Sequence, residues 1–329
     1  MRRIVGRLPS WVRGRTGRIL GTALLVLPAV GYIAYRGYQN WDQLRASAWS
    51  FRPAYWALTL VGYVLSVVCV LWAWNRIAGH LTPVKRFGQN ARLYCLSNLP
   101  RHIPGSIWYM AGRSYLYKQV GVPASLTMAG IALEVFLTIG AGLLTYLLSL
   151  PLAGSLGAGP LRLGIALGLL ALALLILQPP VFNRVLGFFL RRFGSQEQVH
   201  ITYRGLLPPL LVYVLTWGIG GATLYTVILS VYEQVPWQEI GAVIGIWAAA
   251  GTVGLLASTF LVGLGVREVT LGALLTALIP EDRALVVAIL FWFLLTGGDL
   301  VLAGLFTLLS RGRASGPGEP AQPADGPDD

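Results

Sequence analysis

Residues 98–113 read NLPRHIPGSIWYMAGR, and the fold turns on how this stretch is read. Pro100 and Pro104 bracket Arg101 and His102, and Gly105 follows, inside an otherwise apolar region. Each proline lacks an N–H and biases the preceding residue away from helix. The apolar region is therefore interrupted, and its two pieces, 88–99 and 105–118, are expected as separate helices. At 1.5 Å per residue each is about 18–21 Å long, too short to cross roughly 30 Å of hydrocarbon.

The surrounding chain is greasy. Of its 329 residues 55% are hydrophobic and only 12% charged, against roughly 25% charged in soluble domains. Apolar runs at 19–36, 54–76, 123–149, 162–182, 206–231 and 284–309, each with at most one charged residue, approach or exceed the ~20 residues that span a bilayer. A soluble helical protein would need charged outer faces, and most of these runs have none. The expected class is an all-α polytopic membrane helix bundle. The net charge of +12 does not indicate nucleic-acid binding, because the basic residues sit in the gaps between apolar runs.

Charge orients the spans. With the N-terminus in the cytoplasm, the inside segments 1–18, 76–92, 183–204 and 311–313 hold sixteen Lys/Arg, and the outside segments 36–53, 150–162, 232–239 and 280–283 hold five. This is the positive-inside bias. The four remaining basic residues, Arg101, Arg113, Lys118 and Arg267, lie in two interrupted regions, 88–118 and 240–279. Orientation then requires the first to start and finish inside and the second to start and finish outside. Each is read as a re-entrant hairpin or packed helix pair, although 240–262 is long enough to span. Flanking spans complete two units of opposite orientation, repeat one at about 54–149 and repeat two at about 206–309, joined by a linking helix at 162–182. This is the pattern of inverted-topology repeats. The transmembrane domain thus covers 19–310. Residues 1–18 form a basic cytoplasmic N-terminus followed by a retained first helix rather than a cleaved signal sequence. Residues 311–329 form a Pro/Gly-rich tail too polar to fold. The expected location is a bacterial or archaeal cytoplasmic membrane, with both termini inside.

The chemistry is expected at the two breaks. Non-helical backbone at membrane depth survives only where protein or a water-filled cavity covers it. Pro100, Pro104 and Gly105 form the first turn, and Ser106 is positioned to cap the half-helix that follows. The second turn lies in LVGLGVRE (261–268), where Gly263 and Gly265 permit it. Half-helix N-termini carry partial positive charge. With Arg101, Arg113 and Arg267 nearby they point to an anion site, and in a membrane the available anion is a lipid phosphate. Arginine binds phosphate bidentately. Three acids lie within membrane segments: Glu134, Glu268 and Asp299. Ionisable groups there face a cavity or a partner. They fit either gating carboxylates that exchange arginine partners or fixed ion pairs that hold the broken helices. Asn98 fits a role in satisfying freed backbone groups. Trp108, Tyr109, Tyr115 and Tyr117 fit an interfacial aromatic belt or a stacking surface for a headgroup.

Cys69 and Cys95 form no disulfide framework. The three histidines lack metal-ligand spacing, and no hydrolase, zincin or P-loop motif is present. No metal, cofactor or nucleic-acid partner is expected.

RHIPGSIWYMAGRSYLYKQVGVPASLTMAGIALE (101–134) and STFLVGLGVREVTLGALL (258–275) resemble the flippase-like family built on the transmembrane region of lysylphosphatidylglycerol synthases. The resemblance runs from about residue 20 to 310. Arg113, Gly121, Val122 and Glu134 fall on its first pattern, an arginine, a Gly-Val and a glutamate. Residues 263–268 fall on its second, PGGLGVRE, with Leu261 and Val262 standing where the family has proline and glycine. The Gly-Glu pair common before the first arginine is not apparent. The resemblance implies a translocating membrane domain without the synthases' soluble aminoacyl-transferase domain. The expected function is movement of an anionic or glycosylated lipid between leaflets, with Arg101, Arg113, Arg267, Gly105 and Ser106 at the headgroup and Glu134, Glu268 and Asp299 in gating. Alternatives are a non-transporting subunit that accompanies envelope-biosynthesis enzymes, and a membrane-embedded enzyme acting on a lipid phosphate or sugar, for which His102 with Glu134 is the candidate pair.

Overall fold

A computed structural model describes residues 38, 52–82, 84, 86–99, 107–153, 164, 167–169, 171, 178–192, 202–259 and 266–311. These are helical almost throughout, with no strand among them. The helices are α1 (Pro53–Leu81), α2 (Phe87–Asn98), α3 (Ile107–Lys118), α4 (Ala124–Ser149), α5 (Pro179–Arg192), α6 (Tyr203–Val231), α7 (Ile240–Thr259), α8 (Val266–Leu275) and α9 (Glu281–Arg311). Among the described residues, five segments are long and apolar enough to cross a membrane: Pro53–Leu81, Ala124–Leu152, Tyr203–Val231, Trp237–Ser258 and Glu281–Phe306. The protein is a multi-pass membrane helix bundle.

The four expected spans at 54–76, 123–149, 206–231 and 284–309 correspond to α1, α4, α6 and α9. The interrupted regions divide as their breaks require. Helices α2 and α3 have 12 residues each, α8 has 10, and α7 with its 20 residues is the long member of the second pair. Pro100, Arg101, Pro104, Gly105, Ser106, Gly263 and Gly265 fall outside the described residues, as do the first apolar run at 19–36, His102 and the tail at 312–329.

The expected linking helix at 162–182 needs correction at its end. Gln178 is not helical, and Pro179 starts a separate helix that runs to Arg192, across the segment read as an inside loop. Proline is well suited to a first helical turn, where its missing N–H has no partner to lose. At 14 residues this helix is too short to cross the hydrocarbon upright. This helix packs on α4.

The packing divides into two four-helix units with matching neighbours. Helix α1 packs on α2, α2 on α3, α3 on α4, and α1 on α4. In the second unit α6 packs on α7, α7 on α8, α8 on α9, and α6 on α9. The units meet most extensively through α1 and α6, and further through α4 against α7 and α9 against α2. Small residues permit the close approaches within and between units. A Cβ at Gly221 of α6 would lie 2.6 Å from the Ile244 Cα of α7, so only glycine fits there without a backbone shift, as is common where membrane helices pack tightly.

One turn fixes the relation between α3 and α4. Gly121 has φ +82°, a conformation that costs glycine little and other residues more. The Tyr117 carbonyl accepts from Val120 N (3.1 Å) and Val122 N (3.0 Å), closing the C-terminus of α3. Pro123 then precedes α4. The Gly-Val pair between Arg113 and Glu134 is thus a helix stop, and it lets those two side chains meet.

Candidate functional site

Arg113 is buried to 1% exposure in the middle of α3. A guanidinium so placed needs its donors satisfied, and the first unit supplies partners. Nε donates to Ser97 Oγ at 3.0 Å and Nη2 to Asn98 Oδ1 at 2.8 Å, both on the last turn of α2. Nη1 donates to Glu134 Oε2 of α4 in a salt bridge. The second carboxylate oxygen, Oε1, accepts from Tyr94 Oη at 2.6 Å. The guanidinium carbon lies 4.3 Å from the Trp74 ring centroid and 4.2 Å from that of Tyr94, within the range of cation–π attraction. Arg113 therefore joins α1, α2, α3 and α4.

A second polar chain supports this node. Trp74 Nε1 donates to Tyr117 Oη (2.7 Å), and Tyr117 Oη to Asn90 Oδ1 (2.7 Å). Asn90 Nδ2 donates to Asn75 Oδ1 (2.9 Å) and to the Val84 carbonyl (3.1 Å). Buried networks with partners satisfied at each step hold one geometry.

Arg267, on the first turn of α8, is placed differently. Its Nε and Nη2 donate to Glu268 Oε1 at 3.0 and 2.6 Å, and the two side chains remain 25% and 27% exposed. It lies 5.8 Å from the Trp247 ring centroid. A Cβ at Gly254 would fall 2.6 Å from the Arg267 Cβ, so the glycine makes room for the stem of this arginine. Asp299 on α9 accepts a hydrogen bond from Tyr63 Oη of α1 at 3.0 Å.

Arg113, Glu134, Arg267, Glu268 and Asp299 all line one cavity of about 360 Å³, to which α1–α4 and α6–α9 each contribute. The volume is within the range of small-molecule sites. Tyrosine and tryptophan rings make up much of the remaining wall, with Tyr213 and Ser66 presenting buried hydroxyls that have no hydrogen-bond partner. The structure thus brings together two of the expected arginines and all three membrane acids.

The charged groups on the described lining are two arginines and three carboxylates, and each of these arginines has a carboxylate on its guanidinium; Arg101, the third expected cation, lies outside the described residues. Asn98 Oδ1 accepts from Arg113. The expected aromatic belt divides: Trp108 and Tyr115 are exposed as a belt requires, Tyr109 lines the cavity 5.7 Å from the Arg113 guanidinium, and Tyr117 is fully buried in the polar chain.

Tyr63, Tyr94, Ser97 and Tyr213 carry no signal that sequence reading can use. A tyrosine or serine in an apolar run has the same appearance whether it faces lipid headgroups, a neighbouring helix or a cavity.

No protein-family model matches the chain, and no curated protein matches it.

Proposed function

We propose that the protein is a lipid transporter that moves an anionic or glycosylated lipid between leaflets, its headgroup passing through the central cavity. The observation that carries this reading is that Arg113, Arg267, Glu134, Glu268 and Asp299 line one cavity, together with an aromatic wall. Ionisable groups at membrane depth mark pathways for polar cargo. Aromatic rings and buried hydroxyls suit a polar headgroup attached to an apolar body.

The matched packing of the two units supports the inverted repeat, in which one unit rocks against the other to expose the site alternately. Arg267 is the better candidate to meet the headgroup, since its described hydrogen bonds go to the adjacent Glu268 and both side chains are partly exposed. A phosphate would replace Glu268 bidentately. Arg113, held by three side chains, would position the wall. Because the described lining carries an excess carboxylate, an anionic headgroup would bring a compensating cation with it, whereas a neutral sugar headgroup would need none.

Reconstitution into unilamellar vesicles tests this. With fluorescent phosphatidylglycerol or a fluorescent glycolipid in both leaflets, quenching from outside is expected to consume the inner-leaflet pool in protein-containing vesicles. Collapse of the ion gradient is expected to slow the phosphatidylglycerol probe and spare the neutral one. Quenching that stops at the outer-leaflet fraction for both probes, as in protein-free vesicles, would overturn the proposal.

A further inference from the structure

The two units match in all their internal contacts, but not in every contact between them. Helix α4 packs along α6 as well as α7. Its counterpart α9 packs on α2, whereas α1 and α9 are not among the extensively packed helix pairs, although both touch α2 and α6 and both line the cavity. Tyr63 bridges α1 and α9. Tyr63 Oη donates to Asp299 Oδ1 at 3.0 Å, and the Tyr63 ring rests where a side chain on Gly298 would stand. These two helices are also the least enclosed of the spans. The apolar windows of α1 and α9 are each 22% buried, against 44–61% for the other three.

From this we infer that the slot between α1 and α9 is a lateral portal, through which a lipid reaches the cavity while its acyl chains stay in the bilayer. The inference rests on the transport reading for its purpose, but the slot is a binding surface in its own right. Val67 and Val70 on α1 and Leu295 and Leu302 on α9 give it apolar wall positions beside Ser66 and Trp292. The same cavity carries the arginines, carboxylates and aromatic rings. An amphipathic molecule with a polar head and two hydrocarbon chains matches both parts, whereas a soluble anion would have no use for the apolar walls. Tyr63–Asp299 is the latch across the slot. As the lipid passes, the Tyr63 hydroxyl can exchange Asp299 for a headgroup acceptor, and the Asp299 carboxylate can exchange Tyr63 for a headgroup donor. Gly298 is small because the Tyr63 ring occupies the space beside it.

Two measurements test the portal. In vesicles of phosphatidylethanolamine and phosphatidylglycerol containing phosphatidylglycerol with a diazirine on its acyl chain, photolabelling is expected at Val67, Val70, Leu295 and Leu302. Label confined to the outward-facing Val64, Val68 and Val301 of the same helices would overturn the inference. In a background with Cys69→Ala and Cys95→Ala, the pair Val67→Cys and Leu302→Cys joined by a reducible bifunctional thiol reagent is expected to bring lipid movement to the protein-free level. Reduction is expected to restore it, and each single cysteine treated alone is expected to transport. Cross-linked protein, verified by mass, that moves lipid at the uncross-linked rate would also overturn the portal. A wild-type protein that moves no lipid but labels at the four wall positions would defeat the transport reading while leaving the portal as a lipid-binding slot.

Discussion

Glu134→Leu destabilises the protein by roughly 3–5 kcal/mol, the cost of leaving one member of a buried ion pair behind. Arg113 is 1% exposed, and its Nη1 has Glu134 Oε2 as partner. Without the carboxylate the guanidinium keeps Ser97 and Asn98 but loses its countercharge while buried. Tyr94 Oη loses its acceptor at the same time. Arg113→Met is expected to destabilise to a similar degree, since it strands the carboxylate instead. The double variant, Arg113→Met with Glu134→Leu, removes both charges and is expected to recover much of the loss, because hydrophobic replacement of a buried pair is often close to neutral. Unfolding of the purified protein in detergent micelles, compared across the four combinations, measures the coupling. Single variants within about 1 kcal/mol of wild type would mean that the pair is not the structural node described above.

Arg267→Gln is expected to behave in the opposite way. Its partner is adjacent in sequence and the pair is about a quarter exposed, so screening by water limits its contribution to stability to about 0–1 kcal/mol. The unfolding midpoint should hardly move. Lipid movement should fall by roughly tenfold or more, corresponding to about 1.4 kcal/mol of lost headgroup interaction. Arg267→Lys is expected to restore only part of it, because a lysine presents a point charge where bidentate contact is required. The measurement is the same vesicle assay at matched protein density. Unchanged transport in Arg267→Gln would remove this arginine from the site. A large loss of stability would assign it a structural role like that of Arg113. Two arginines that look alike in sequence are thus predicted to separate, one by stability and one by transport.

Much of the architecture was legible because membrane insertion constrains it strongly. The four spans now seen as α1, α4, α6 and α9 need only length and apolar content. The shortness of α2, α3 and α8 follows from the proline- and glycine-containing breaks beside them. Arg267 and Glu268 could be paired by adjacency. The pairing of Arg113 with Glu134 was visible only as one option among several, since it depends on the Gly121 turn bringing α3 against α4. The start of α5 at Pro179 was missed because an apolar run was followed across a proline pair that begins a new helix. Which carboxylate each arginine holds was not legible: the sequence offers Glu134, Glu268 and Asp299 as partners, and the structure pairs Glu134 with Arg113 and Glu268 with Arg267. Tyr63 and Tyr94 could not have been found at all, because their partners lie 236 and 40 residues away and no short-range pattern records such contacts.

The central claim is that a membrane lipid places its headgroup in the cavity shared by the two units. Native mass spectrometry of gently extracted protein tests it most directly, with wild type compared with Ser258→Trp, which fills the cavity from α7. The account predicts a lipid adduct of defined mass on the wild type and its loss from the filled variant, with the fold intact by circular dichroism. An adduct retained equally by both proteins, or no adduct on either, would contradict it.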